Sequence, residues 1–424
     1  MKPTRKGPAA ARAEGRVEKI VAGGAGLVRL PSQVVLVPQV AVGERVAFEV
    51  GRPMGRLLKV LEPAPERVIP ACAHSARCGG CDLLHLTPEA QRAARLGILE
   101  EALAGLPREG RALPAIVYRE AAPLHSRTRV RWHARRIGPD VMVGYHAAGS
   151  RTIVGVPDCQ ALDPRLEAAL ALSRELLVGA EGEGDVHAAL GVGGRPVLSI
   201  AWRGALPPRV FGSAEQLVTG GKLAGVALHL DGAREPAKVG DPRPVVTLAD
   251  GPLFAPIAGF SQASERGDAV LVQRVVALAD PEGLEVIELF AGSGNLTVAL
   301  AREAVHVTAV EQVGAACVAM RENVALRKLE TRVKVIEADA EAYALPTHGD
   351  LVVLDPPRTG ARGAIAEIVK KRPKRVVYVS CDPTTLGRDL RVLLAEGYVV
   401  KAIEALDLFP GTSHVESVVA CERG

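Results

Sequence analysis

The sequence predicts an α/β chain whose last part, from about residue 256, is a sheet of mostly parallel strands covered by helices. A small β-barrel and an α+β segment precede it. Three observations lead there. Continuous apolar runs such as "VIELF", "DLVVLD" and "RVVYVS" alternate with helical stretches after residue 256, which is how strands buried on both faces read. Short β-type runs broken by Gly and Pro fill residues 16–62, the pattern of a barrel or sandwich. Between them strands and helices mix without regular alternation.

In order, the first segment holds "RVEKIVAGGAGLVRL", "QVVLVPQV", "ERVAFEVG" and "GRLLKVLEP". The Pro-rich "EPAPERVIP", Glu62 to Pro70, reads as a linker. A cysteine-rich run follows, then a helix opened by Thr87-Pro88-Glu89, since Thr caps and Pro suits the first helical position. Residues 115–255 carry Gly/Pro-rich breaks at 179–184 and 204–208. The strands "EVIELF", "HVTAVE", "VKVIEAD", "DLVVLD" and "RVVYVS" then form the regular part, and "HVESVVACERG" adds a further strand-like run. With 424 residues and 48% hydrophobic content the chain can build two to three cores. The expected domains are residues 1–66, 67–255 and 256–424.

Composition removes several classes of function. No apolar run approaches the ~18 residues of a membrane span, and no apolar segment follows the basic start, so a cytoplasmic protein is expected. Seven cysteines, an odd number, without an export signal argue against a disulfide framework. Net charge is only +4, from 52 basic and 48 acidic residues, yet the positive charge is uneven. "RTRVRWHARR", Arg127 to Arg136, holds five arginines and no acid, and "KKRPKR" and the first dozen residues are similarly one-signed. Such clusters suit phosphate, although any one of them alone is more often a solvated face.

In "VIELFAGSGNLTVAL" a strand ends at Phe290, the turn Ala291-Gly292-Ser293-Gly294 follows, and a helix begins near Asn295. Ligands of such sheets bind beyond the carboxyl ends of the strands. The sixth position of the glycine motif is Thr297, which disfavours a dinucleotide. Acids end the next three strands. Glu311 is placed to accept ribose hydroxyls, Asp339 lies toward an adenine, and Asp355 opens Pro356-Pro357-Arg358. Each alone reads as a helix cap; three in register with a glycine turn favour a nucleoside-type ligand. This order resembles the S-adenosyl-L-methionine-dependent methyltransferases with a Rossmann-like seven-stranded sheet.

"LFAGSGNLT", "LDPPRTG", "VVYVSCDPTTLGRDL" and "LFPGTSHVESV", in that order, resemble the RNA uracil-5-methyltransferase family, in particular its members with an iron–sulfur cluster and an N-terminal TRAM β-barrel. The resemblance implies a chemistry that explains a thiol at a strand end. C5 of uracil is a poor nucleophile until a thiolate adds to C6, which splits one hard step into easier ones. The C5 proton must then leave to a general base. Cys381 matches the nucleophile, and the helix start beyond it is expected to lower its pKa. Glu416 in "SHVESVV" matches the base. Gln262, Phe290, Asn295, Glu311, Asp339 and Asp355 match cofactor-contacting positions. Gln262 is the loosest, because Ala263 and Ser264 follow where relatives carry Asn and aromatic neighbours. The related cytosine enzymes use a Pro-Cys motif; Pro356-Pro357 has no cysteine, which points to uracil.

Cys72, Cys78 and Cys81 follow C-x5-C-x2-C, and Cys159 in "VPDCQAL" offers a fourth thiolate. Spacing alone leaves zinc and a [4Fe–4S] cluster open; the resemblance implies the cluster, in a structural role. Cys317 and Cys421 read as core cysteines. Arg127, Arg129 and Arg131 are expected on one face of a strand, aligned for RNA phosphates, with Trp132 on the core face. The target base must leave its stack. The expected substrate is 23S rRNA and the expected state a monomer. The tRNA T-loop uridine is the alternative, and a non-catalytic RNA-binding assembly factor is the reading from another class.

Overall fold

The computed structural model describes residues 11–51, 53–107, 112–257, 259–346 and 349–424; the basic run at residues 1–10 lies outside them. The chain forms two compact units, Met1–Ala104 with Gly411–His414, and Gly105–Pro410 with Val415–Gly424.

The first unit begins with strands β1 (Arg12–Ile20), β2 (Gly26–Leu30), β3 (Gln33–Val37), β4 (Arg45–Glu49) and β5 (Arg56–Glu62). They form an antiparallel sheet in the order β3-β2-β1-β4-β5. Alternate residues point inward, so Val17, Val28, Val35, Val37, Val46 and Phe48 make a small core. The Gly55 amide donates to the Leu36 carbonyl at 2.8 Å, linking the two edges as in a barrel. The linker is fixed through Glu44, a fully buried carboxylate whose charge Arg67 neutralises and whose Oε2 accepts the Ala41 amide at 2.8 Å. Helix α1 (Pro88–Leu103) starts as its sequence predicts, with Thr87 Oγ1 accepting the Ala90 amide at 3.3 Å. The short segment Gly411–His414 belongs to this unit because Asp82 holds it. Its carboxylate accepts the Ser413 amide and hydroxyl, each at 2.7 Å.

The second unit contains two sheets of interest. Strand β6 (Ile116–Glu120) is followed by β7 (Arg129–Ile137), β8 (Asp140–His146), β9 (Ile153–Val154), helix α2 (Pro164–Leu176), β10 (Glu181–Leu190), β11 (Pro196–Ala205), α3 (Pro208–Thr219), β12 (Gly225–Leu230) and β13 (Ala237–Gly240). A seven-stranded sheet runs β13-β12-β11-β10-β7-β8-β9. One of its faces packs Trp132 and Trp202 into an apolar core with Leu166 and Leu176 of α2. Trp132 is therefore the core residue its alternation predicts.

A hairpin, β14 (Val245–Leu248) and β15 (Gly251–Phe254), leads to the regular part: α4 (Glu265–Ala279), β16 (Glu285–Leu289), α5 (Asn295–Leu300), β17 (His306–Glu311), α6 (Gly314–Leu326), β18 (Val333–Glu337), β19 (Leu351–Leu354), α7 (Arg362–Lys371), β20 (Arg375–Ser380), α8 (Pro383–Ala395), β21 (Tyr398–Asp407) and β22 (Glu416–Arg423). The sheet order is β18-β17-β16-β19-β20-β22-β21-β6. β19 and the last five residues of β20 are buried throughout, as strands covered on both faces must be. Cys317 and Cys421 are both core residues. β22 is the strand predicted from "HVESVVACERG" and the seventh from β16, inserted antiparallel between β20 and β21. An eighth, β6, pairs parallel with β21 and comes from sequence read as part of the middle segment. β16 and β19 are neighbours where the strand order reverses, the place where such sheets bind ligands.

Candidate active site

The antiparallel insertion of β22 assembles the chemistry. Ser380, the last residue of β20, pairs with Ser417, the second residue of β22. Cys381 and Glu416 are the next residues outward on each strand, so register alone sets them opposite one another at the carboxyl end of the sheet. Asp355 follows β19 on the neighbouring side, where Leu354 pairs with Tyr378. Glu416 is only 3% exposed, unlike the solvated surface glutamate its charge would suggest. Burial, and then the Asp355 charge, hold its carboxyl well above the ordinary range, with Arg358 opposing. Asp355 is raised as well, by desolvation and by Asp268.

The half-buried Cys381 thiol departs from expectation. Desolvation, Glu416 and Asp355 push it up to about 11, with only Arg358 opposing among the named charges. The helix start does not win because α8 is already capped by its own sequence. Asp382 Oδ1 accepts the Thr385 amide at 2.9 Å, placing a carboxylate on the helix N-terminus beside the thiol. Asp389 anchors that helix, accepting the Tyr378 hydroxyl at 2.7 Å and the Ala361 amide at 2.9 Å through Oδ2.

Beyond β16 the chain turns sharply. Phe290 has φ of 63°, a left-handed conformation that strains an aromatic residue and commonly marks a functional turn. Gly294 has φ of 87°, and a Cβ there would lie 2.6 Å from Met320 Cγ, so the turn needs glycine on both counts. Glu311 clamps the turn: its Oε2 accepts the Gly292 amide at 2.9 Å and its Oε1 the Val313 amide at 2.8 Å. Each oxygen keeps a lone pair for a hydroxyl donor. Asn323, which the sequence reading missed, ties the turn to β15, donating to the Phe254 and Ser293 carbonyls at 2.8 and 2.9 Å.

A cleft of about 550 Å³, including its open mouth, lies against this turn; its walls include Gln262, Phe290, Asn295 and Asp355. Two further acids line it that the sequence reading also missed. Asp268, in the first turn of α4, bonds Asn295 Nδ2 through Oδ1 at 2.6 Å. Glu288, inside β16, accepts the Thr297 hydroxyl at 2.6 Å. Burial raises Asp268 to about 7 and Glu288 to about 8. Among the described residues Asp268 Oδ2, Asn295 Oδ1 and Ser293 Oγ are buried without a hydrogen-bond partner. Buried polar atoms are normally paired, so these three suit a polar ligand. Glu288 had a visible signal, an acid inside an otherwise apolar strand.

Other expected residues fall elsewhere. Asp339 is exposed, outside the cleft wall, and caps its own turn by accepting the Glu341 amide at 3.0 Å. The row of three arginines needs correction. Arg127 precedes the strand, with its guanidinium 5.9 Å from the centre of the Phe409 ring. Arg129 turns inward and donates to Ser261 Oγ at 2.7 Å and to the Gly259 carbonyl. It clamps the loop before Gln262 instead of facing phosphate, and burial lowers its pKa only to about 10, so it stays charged. Arg131 is exposed and pairs with Asp185 at 2.7 Å. It lines a groove on the sheet's other face with Arg135, Arg151, Arg203 and the stacked pair His133–His146.

Cys72, Cys78, Cys81 and Cys159 are half-buried and in no disulfide. The first three lie in the turn-rich stretch before α1 in the first unit, where the Gly80 amide donates to Cys78 Sγ at 3.4 Å, the kind of bond that supports a cluster thiolate. In the second unit Cys159 Sγ is 3.5 Å from the Tyr145 hydroxyl. Among the described residues no three His, Cys, Asp or Glu side chains form a group that could hold a single metal ion. No helix among them is long and apolar enough to cross a membrane.

Residues 258–424 match the family model described as tRNA (Uracil-5-)-methyltransferase. Along nearly the whole length, the chain is 32% identical to a protein of Dechloromonas aromatica named 23S rRNA (uracil(1939)-C(5))-methyltransferase RlmD, covering 96% of this chain and 99% of that one. The chain belongs to the RNA uracil-5-methyltransferase family. A member from Klebsiella pneumoniae with the same name is 34% identical over 86% of this chain and 83% of its own. The family fold is also that of a solved structure, the tRNA (uracil-54, C5)-methyltransferase of Pyrococcus abyssi in complex with S-adenosyl-L-homocysteine. It matches with a TM-score of 0.75 over 96% of this chain and all of that one; at 20% identity the likeness concerns fold alone.

Proposed function

We propose that this uracil-5-methyltransferase methylates C5 of a uridine in 23S rRNA, using S-adenosyl-L-methionine. The observation that carries the reading is the Ser380–Ser417 register, which sets a thiol against a buried carboxyl beside the cleft. The relatives named for 23S rRNA, at 32% and 34% identity, support rRNA over tRNA.

Bound S-adenosyl-L-methionine supplies the methyl group that C5 of uracil takes. Gln262, Phe290, Asn295 and Asp355 would hold it in the cleft, with Glu311 accepting from ribose; its net positive charge matches the surplus of buried acids. Asp339 would meet the adenine only at the rim. Cys381 adds to C6, giving an enolate whose C5 is nucleophilic. Glu416, a buried carboxyl set opposite the thiol, removes the C5 proton so that the thiol can be eliminated. Arg131 and the groove beside it would contact RNA phosphates, with Arg127 at the edge and Arg129 as a loop clamp.

Cys72, Cys78, Cys81 and Cys159 are proposed as ligands of a structural [4Fe–4S] cluster. Iron and sulfide in equal amounts, four of each per chain after anaerobic purification, would support it; stoichiometric zinc would refute it. The enzyme is proposed to act as a cytoplasmic monomer, which a light-scattering mass of one chain would support.

The test of the main reading is a methylation assay on unmodified 23S rRNA and tRNA transcripts, followed by nucleoside mass spectrometry. The reading expects 5-methyluridine from 23S rRNA. 5-Methyluridine from tRNA alone would overturn the choice of substrate, and none from either, in protein that binds the cofactor, would overturn the activity.

A further inference from the structure

We infer that Asp268 reads the α-ammonium group of S-adenosyl-L-methionine, with Asn295 as its partner. This rests on the reading of the cleft as the cofactor site. Asp268 is only 1% exposed and its side chain forms part of the cleft wall. Its Oδ1 is occupied by Asn295 Nδ2 at 2.6 Å, while Oδ2 is buried and unpartnered among the described residues. Asn295 Oδ1 and Ser293 Oγ, also cleft-lining, are unpartnered too. Two of these three atoms are acceptors only, and the serine hydroxyl can accept. A buried carboxylate oxygen left unpaired is costly, so the group that belongs there is a donor, preferably a charged one.

The cofactor offers three kinds of donor: the adenine amine, the ribose hydroxyls and the ammonium. Sheet order separates them. Asp339 follows β18 and Glu311 ends β17, so the nucleoside lies toward that side. Asp355 follows β19 and Cys381 follows β20, so the reacting methyl must lie toward the other. Asp268 and Asn295 stand at the turn after β16, between the two, where the amino-acid end remains to be held. An ammonium has three N–H donors and a full positive charge. Asp268, Glu288 and Asp355 together supply the complementary charge. A hydroxyl or neutral amine would leave that charge uncompensated.

The experiment is a cycle of four dissociation constants measured by calorimetry on the full-length protein. The ligands are S-adenosylhomocysteine and its analogue in which the ammonium is replaced by hydrogen; the proteins are wild type and Asp268→Asn. The substitution keeps shape and the Asn295 contact while removing the charge. It is expected to weaken S-adenosylhomocysteine by about 10–100-fold, the loss of one charge-assisted hydrogen bond. Binding of the deaminated analogue should change less than about twofold, the scatter expected of uncoupled groups. Equal weakening of both ligands would show that Asp268 only shapes the cleft and would overturn the inference. If the variant fails to fold, the wild type alone decides. It should bind the analogue about 10–100-fold more weakly than S-adenosylhomocysteine, and equal affinity would overturn the inference. Wild type that binds neither ligand would instead refute the cofactor reading itself.

Discussion

Alkylation of Cys381 separates two pictures of this site, a pre-activated thiolate and a thiol held protonated until substrate arrives. The structure favours the second. Burial and the two facing carboxyls raise the thiol from 9.0 to about 11. At pH 8 that lowers the thiolate fraction from about one in ten to about one in a thousand, because each pKa unit is a factor of about ten. The assay follows iodoacetamide modification of Cys381 by peptide mass spectrometry between pH 7 and 11. Location of the inflection, not absolute rate, is the readout, since access and intrinsic nucleophilicity also change rates. Wild type should keep rising past pH 10. The Glu416 charge is one of the causes that raise the thiol. Glu416→Gln should therefore shift the inflection down by about one unit, the low end for a charge this close. An inflection at or below pH 9 in wild type, or no shift in the variant, would refute the reasoning.

Other expectations follow from the same geometry. Cys381→Ala should abolish methylation while S-adenosylhomocysteine affinity stays within about twofold in calorimetry, because the thiol lies outside the cleft wall. Glu416→Gln should transfer the methyl group yet stall at elimination, so that SDS-stable protein–RNA adducts accumulate with ordinary RNA; normal turnover would assign the base elsewhere. Arg129→Ala should weaken S-adenosylhomocysteine through the loop before Gln262 and leave the salt dependence of RNA binding unchanged. Arg131→Ala should do the reverse, reducing the salt slope by about one. Tyr378→Phe removes a buried donor to Asp389 and should destabilise the fold by about 1–3 kcal/mol in urea melts, with m unchanged.

Much of the site could be read in the sequence because its local grammar is strong. A parallel strand buried on both faces shows as a continuous apolar run, and the residue that ends it is automatically at the binding edge. That placed Asp355, Glu311 and Cys381 without coordinates. The pairing of Cys381 with Glu416 could be proposed only from resemblance, because it depends on β22 entering antiparallel, and strand direction leaves no mark in one strand's composition. Asp268 was overlooked because an acid in the first turn of a helix is usually explained by the helix dipole. Arg129 was misplaced for a related reason: alternation said which face it occupies, but not that the loop at Gly259 and Ser261 covers that face at its position. The expected activation of Cys381 failed through competition, as Asp382 satisfied the helix start that was to stabilise the thiolate. The strand β6 joins the sheet through a partner far away in sequence, a pairing no local pattern records.

The most direct measurement is covalent trapping. Full-length protein is incubated with S-adenosyl-L-methionine labelled in its methyl group and 23S rRNA transcribed with 5-fluorouridine, then separated under denaturing conditions and digested for peptide mapping. Fluorine at C5 cannot be removed as a proton, so the account predicts a labelled adduct whose crosslinked peptide contains Cys381, absent with Cys381→Ala. An adduct mapping to another residue, or methylated product released without any adduct, would contradict it.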